Sequence, residues 1–167
     1  MSTITTTGSS LKADNKPGAV LEAALLLDAA EKARNGANPG ITPKNNISIT
    51  FSSDDGTANI AATLPVEVSV GSDGSIAYAP KDYLGGSYAT FTAGGDVTAT
   101  NCMAALVQVA QLLSAAEKAV QPVEDQSNFI QIESSSEAGT ITIAAAMPIT
   151  QTINADGNIV TSALDYL

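Results

Sequence analysis

A chain of 167 residues with net charge −10, seven basic side chains and no histidine excludes a counterion-releasing phosphate groove and every His-based catalytic or metal-binding scheme. Its single cysteine, Cys102, leaves no intramolecular disulfide, thiolate zinc site or iron–sulfur cluster. Hydrophobic residues make up 44% but aromatics only 4%, so the core must come from Ala, Val, Ile and Leu, beneath a surface rich in Thr, Ser, Asn and Gln.

The opening MSTITTTGSS has no basic region followed by an apolar one, so no signal peptide is expected and synthesis in the cytoplasm follows. Ser2–Thr7 has strand composition. A helix is predicted next, capped by Asp14 or Asn15, with Pro17 in its first turn and Asn35-Gly36 as its stop. Its apolar stripe is Val20, Ala23, Leu26, Leu27 and Ala30, and Leu21 and Leu25 lie opposite. Four strand signals follow: Ile47, Ile49 and Phe51; Ala58, Ile60, Ala62 and Leu64; Val66, Val68 and Val70 after Pro65; and Ile76–Tyr78 after an Asp-Gly turn. Gly85-Gly86 reads as a linker.

The same order then recurs. Tyr88–Thr92 has strand composition, Thr100 or Asn101 caps a helix that ends by Pro122, and Leu106, Val109, Leu112, Leu113, Ala116 and Val120 form its stripe. Ile141, Ile143, Ala145 and Met147 alternate, followed by Ile149, Ile153 and Ile159–Thr161.

The recurrence is a repeat in the sequence itself. At an offset of 83, Gly56-Thr57 meets Gly139-Thr140, Ile60-Ala61-Ala62 meets Ile143-Ala144-Ala145, Pro65 meets Pro148, and Asp82-Tyr83-Leu84 meets Asp165-Tyr166-Leu167. Upstream the offset is 86, laying Ala29–Ala33 on Ala115–Ala119, both AAEKA. The expectation is an α+β tandem duplication of a β-α-β-β-β-β unit, copy one at residues 1–86 and copy two at 87–167, with antiparallel sheets, one helix per copy and a pseudo-twofold arrangement. The copies are expected to pack as one compact unit, because about 83 residues is near the lower limit for an independent core.

Candidate chemistry is thin. Cys102 near a helix start reads as a packed thiol. Ser9-x-x-Lys12 has the spacing of a Ser–Lys pair without its companion motifs. SDDGT and NADGN lack the spaced oxygen ligands of a calcium loop and fall at hairpin turns. Asp82 with Asp165, or Asp54 with Glu137, could form carboxylate pairs only if the fold brings them together. No cofactor or metal is expected.

Few charges, Thr-rich strands and no catalytic constellation point to a non-enzymatic structural or assembly protein. Its concrete form is a bacteriophage virion component (capsid decoration, head or tail protein) acting through self-association or lattice packing with other structural subunits. Neither nucleic acid nor membrane is an expected partner. Leu21, Leu25 and Val107, the counterpart of Leu21, are the candidate interface residues, to be covered by the sister copy or by another subunit. The alternative is a module binding a small ligand or peptide between the repeats, and the third reading is an enzyme using paired carboxylates.

Overall fold

The computed structural model describes residues 3–37, 47–52, 54, 56–84, 91–120 and 130–165. Two helices, α1 (Lys16–Ala37) and α2 (Cys102–Val120), alternate with two sets of three strands. The first set is β1 (Ile47–Ser52), β2 (Thr57–Val70) and β3 (Ile76–Pro80), and the second is β4 (Ile130–Ser135), β5 (Thr140–Ile153) and β6 (Ile159–Ala163). The fold is α+β, a six-stranded antiparallel sheet with the path β1-β2-β5-β4, to which β3 adds on β2 and β6 on β5.

Each helix begins as its sequence requires. Asn15 Oδ1 accepts the Gly18 N–H at 2.8 Å, and Asn101 Oδ1 accepts the Ala104 N–H at 2.8 Å, so both asparagines satisfy a donor that the helix leaves open. One turn further on, the Glu22 carboxylate accepts the N–H groups of Lys12 at 2.8 Å and Ala13 at 2.9 Å. Gln108, 86 positions later, accepts those of Thr98 at 3.0 Å and Ala99 at 3.1 Å. Because an amide does in one half what a carboxylate does in the other, Glu22→Gln is expected to unfold within about 1 kcal/mol of the parent, while Glu22→Ala costs about 1.5–3 kcal/mol. Denaturant titration of the two variants checks this, and equal losses would remove the capping account.

The core lies between the helices and one face of the sheet. Ala58, Ile60, Ala62, Leu64 and Val66 of β2 and Ile141, Ile143, Ala145, Met147 and Ile149 of β5 all point inward and are buried, as period-two alternation dictates. They meet Val20, Ala23, Ala24 and Leu27 of α1 and Leu106, Val109, Ala110 and Leu113 of α2. The helices also pack along each other.

The ladders repeat at the sequence offset. In β1–β2 Ile47 pairs with Ala62, and in β4–β5 Ile130 pairs with Ala145; Val66 pairs with Pro80, and Ile149 with Ala163. At the seam Ala61 of β2 pairs with Ala144 of β5, two residues 83 positions apart.

Two expectations need correction. The expected opening strands do not form over the described parts of their spans, residues 3–7 and 91–92: Thr3 and, further on, Gly94 form only isolated bridges, to Asn15 and Val97, while Ser2 lies outside the described residues. Loop partners take these donors instead, with the Ile4 N–H bonding the Asp14 carbonyl and the Ser10 N–H the Thr92 carbonyl. Tyr88, where the second opening strand was expected to start, and the Gly85-Gly86 linker lie outside the described residues.

The prolines also do not divide strands. β2 runs unbroken through Pro65 and β5 through Pro148. The carbonyl of Pro65 faces the β3 side, where it accepts the Lys81 N–H. Its ring nitrogen therefore faces the gap where the flanking strand changes from β1 to β3, and no ladder donor is needed there. Each half of the described chain therefore reads α-β-β-β.

Candidate functional site

The residues with possible chemistry stay apart. The Lys81 N–H bonds the Pro65 carbonyl and the Leu164 N–H that of Pro148, which fixes Asp82 and Asp165 beside those prolines. Pro65 pairs with Thr140 and Pro148 with Thr57, so eight strand residues, about 27 Å, separate the two aspartates along β2. Asp54 and Glu137 lie in the turns that lead into Thr57 and Thr140, and the same ladder holds them at opposite ends. Neither pair forms a dyad.

Ser9 Oγ accepts the Leu11 N–H at 3.1 Å and so orders its own loop, while Lys12 is exposed. Asp73 accepts the Ser75 hydroxyl at 2.6 Å and the Ser75 N–H at 3.1 Å. These bonds, the hydroxyl first, hold its carboxyl below the usual aspartate range. In the other hairpin Asn154 Oδ1 accepts the N–H groups of Asp156 at 3.0 Å and Asn158 at 2.9 Å. Both hairpins, at 71–75 and at the NADGN stretch, thus close as turns; of the SDDGT stretch, Ser53 and Asp55 lie outside the described residues. Among the described residues no cluster of three or more Cys, Asp or Glu could hold a metal ion, and no helix is long and apolar enough to cross a membrane.

Cys102 is buried at the start of α2, and burial, followed by the Asp82 charge, pushes its thiol above the ordinary value. The folded state keeps the proton where the unfolded chain gives it up, so this group's contribution to stability is full below about pH 9 and is lost as pH rises through the folded value. Native protein is expected to react slowly with thiol reagents at pH 8 and quickly once unfolded, and equal rates would contradict the burial.

Sequence reasoning missed two buried carboxylates, Glu31 and Glu117. They are the glutamates of the two AAEKA segments, and each is engaged by other groups of the chain. The available signal was the retention of an acid on the helix face that also carries the apolar stripe.

The candidate interface residues separate into two kinds. Leu21 and Val107 occupy matching positions and are buried in the chain's own core, because each helix packs on its neighbour as well as on the sheet. Leu25 is 43% exposed, and its counterpart Gln111 is exposed.

The larger exposed apolar surface lies on two hairpin arms. Beyond Val66 and Ile149, β2 with β3 and β5 with β6 leave the main sheet as two-stranded ribbons. At their tips Val70 pairs with Ile76 and Ile153 with Ile159. These aliphatic pairs are open to solvent, at 69% and 53% in the first arm and 75% and 69% in the second. On the sheet face away from the helices, an open depression of about 320 Å3 spans the β2–β5 seam, lined by Ser48, Thr50, Asn59, Ala61, Gln131 and Ala144 among others.

Comparison with known proteins gives no match: no family model, no curated protein and no solved structure is similar to the chain.

Proposed function

We propose that this chain is a non-enzymatic assembly protein that works by packing against copies of itself or other structural subunits. One observation carries the reading. Two ribbons extend from the core and carry directly paired aliphatic residues at their tips, 53–75% exposed. A two-stranded ribbon is marginally stable in water unless something covers it, and exposed apolar surface of this kind marks contact sites. A bacteriophage virion component (a capsid decoration, head or tail protein) is the concrete form, supported by the scarce charge and the Thr- and Ser-rich strands.

The underlying architecture we infer is a tandem duplication, residues 1–86 and 87–167, about a pseudo-twofold through the Ala61–Ala144 pair. The matching ladder registers, caps and burial patterns support it. Such a molecule presents one arm at each end. Electron microscopy of the concentrated protein tests the reading. Ordered oligomers or lattices are expected, and a field of isolated monomers would sink it.

The depression across the seam favours a second reading, a small ligand or peptide bound between the halves. Thermal stabilisation by a ligand library that is lost on Ala61→Trp would support it.

A further inference from the structure

The two arms share one register, and the differences in their edge chemistry are informative. In β3 the bonds from the Lys81 N–H to the Pro65 carbonyl and from the Gly71 N–H to the Ser75 carbonyl fix which residues face β2. By the alternation of an antiparallel ladder, Ile76, Tyr78 and Pro80 turn their backbone groups away from it, toward the open edge. One of those three is a proline, so that edge lacks a donor in the position that a neighbouring strand would need. In β6 the bonds from the Leu164 N–H to Pro148 and from the Asn154 N–H to Asn158 set the same phase. Ile159, Thr161 and Ala163 therefore face the open edge, and all three keep their N–H. Ala163 stands where the first half has Pro80.

Natural edge strands are blunted by proline, charge or bulges. β3 carries a proline and its partner stretch in β2 carries Glu67, whereas Ile149–Ile153 and Ile159–Ala163 contain neither charge nor proline. In a chain of net charge −10, a second copy is repelled wherever acids meet, and β6 is a charge-free edge on which two copies can approach, Asp156 lying in the turn before it and Asp165 beyond its end.

We propose that β6 pairs with β6 of a second copy, antiparallel, about a twofold axis at Thr161. The proposal rests on the self-association reading above and names its interface. With Thr161 opposite the partner's Thr161, Ile159 falls opposite the partner's Ala163. All three outward N–H groups of each copy then meet outward carbonyls of the other. The contact is isologous and closes as a dimer. It joins the two arms into one four-stranded ribbon, β5-β6-β6-β5, and sets the exposed Ile153–Ile159 tip beside the base of the partner's arm. The β3 edge, closed by Pro80, does not take part.

The test is the dimer dissociation constant by sedimentation for the full chain and two variants, with amide hydrogen exchange on β6. Ala163→Pro installs on this edge the residue already tolerated at Pro80, so its folded circular-dichroism spectrum and melt should match the parent. Thr161→Lys sets like charges opposite each other at the axis and decides the matter if the proline variant fails to fold. The expected result is association of the parent, weakened at least about tenfold in each variant. Exchange at Ile159, Thr161 and Ala163 should slow as parent concentration rises. A parent that associates with unchanged affinity in both variants would overturn the β6 interface and leave the assembly reading standing. A parent that stays monomeric would overturn both.

Discussion

Replacing Leu27 or Leu113 with alanine is expected to lower the unfolding free energy by about 2–5 kcal/mol in each case, with closely similar losses in the two variants. Both side chains are fully buried, and they lie 86 positions apart at matching places on α1 and α2. Around each, the same sequence of buried and exposed positions recurs: Ala23 and Ala24 match Val109 and Ala110, and Glu31 matches Glu117. A cavity of similar shape should therefore open in either half, and the cost of a cavity follows its volume. Urea titration with an unchanged slope measures the losses. A difference above about 1.5 kcal/mol would mean that the two environments are not equivalent, and the inferred pseudo-twofold would lose its energetic support.

The second large effect is expected at a glycine where the halves touch. Gly95 has φ of 60°, and a Cβ there would run into the backbone carbonyl of Thr5. Around it the Thr5 N–H bonds Asp96 Oδ2 at 2.7 Å, the Asp96 N–H bonds the Thr5 carbonyl at 2.6 Å, and the Thr92 N–H bonds Ser10 Oγ at 2.9 Å. The loop before α1 is thus fastened to the loop before α2. Gly95→Ala adds a left-handed backbone penalty of about 1–2 kcal/mol to overpacking of about 1–3 kcal/mol, so a loss of about 2–5 kcal/mol is expected. Gly8 supplies the control. Its φ is 81° but nothing lies within 4 Å of an added Cβ, so Gly8→Ala should cost only the backbone part, about 1–2 kcal/mol. Equal losses at the two glycines would show that the loop–loop contact contributes nothing.

Much of this fold was legible in the residues because it is governed locally. Asn15 and Asn101 cap where the pattern placed caps, and the stripes from Val20 to Leu27 and from Leu106 to Leu113 face the core. What escaped depends on neighbours distant in sequence. Pro65 and Pro148 read as strand ends, since proline removes a ladder donor; only the change of flanking strand at those points explains a strand that continues. The Thr-rich opening has strand propensity, yet its partners are loops, some in its own half, such as Asp14 for Ile4, and some in the other, such as Asp96 for Thr5, which no single-segment reading contains.

Leu21 was expected to be covered by the second half of the chain or by another subunit, and it and Val107 are buried within the chain, where the two helices pack on each other. A helical wheel assigns one buried face, while a helix that lies on both a sheet and a second helix buries two. In the first Asp-Tyr-Leu segment Leu84 lies within the core and Tyr83 packs against it. Tyr166 and Leu167 of the second lie outside the described residues. The candidate surface was least legible. Val70, Ile76, Ile153 and Ile159 alternate like core residues, and only their position beyond the reach of the main sheet leaves them exposed.

Sedimentation equilibrium of the purified full chain across a wide concentration range tests the central claim, assembly through the exposed arms, most directly. A weight-average mass that climbs with concentration to at least twice the 16.8 kDa of one chain is the predicted result. A mass that holds at 16.8 kDa up to the highest attainable concentration would contradict it.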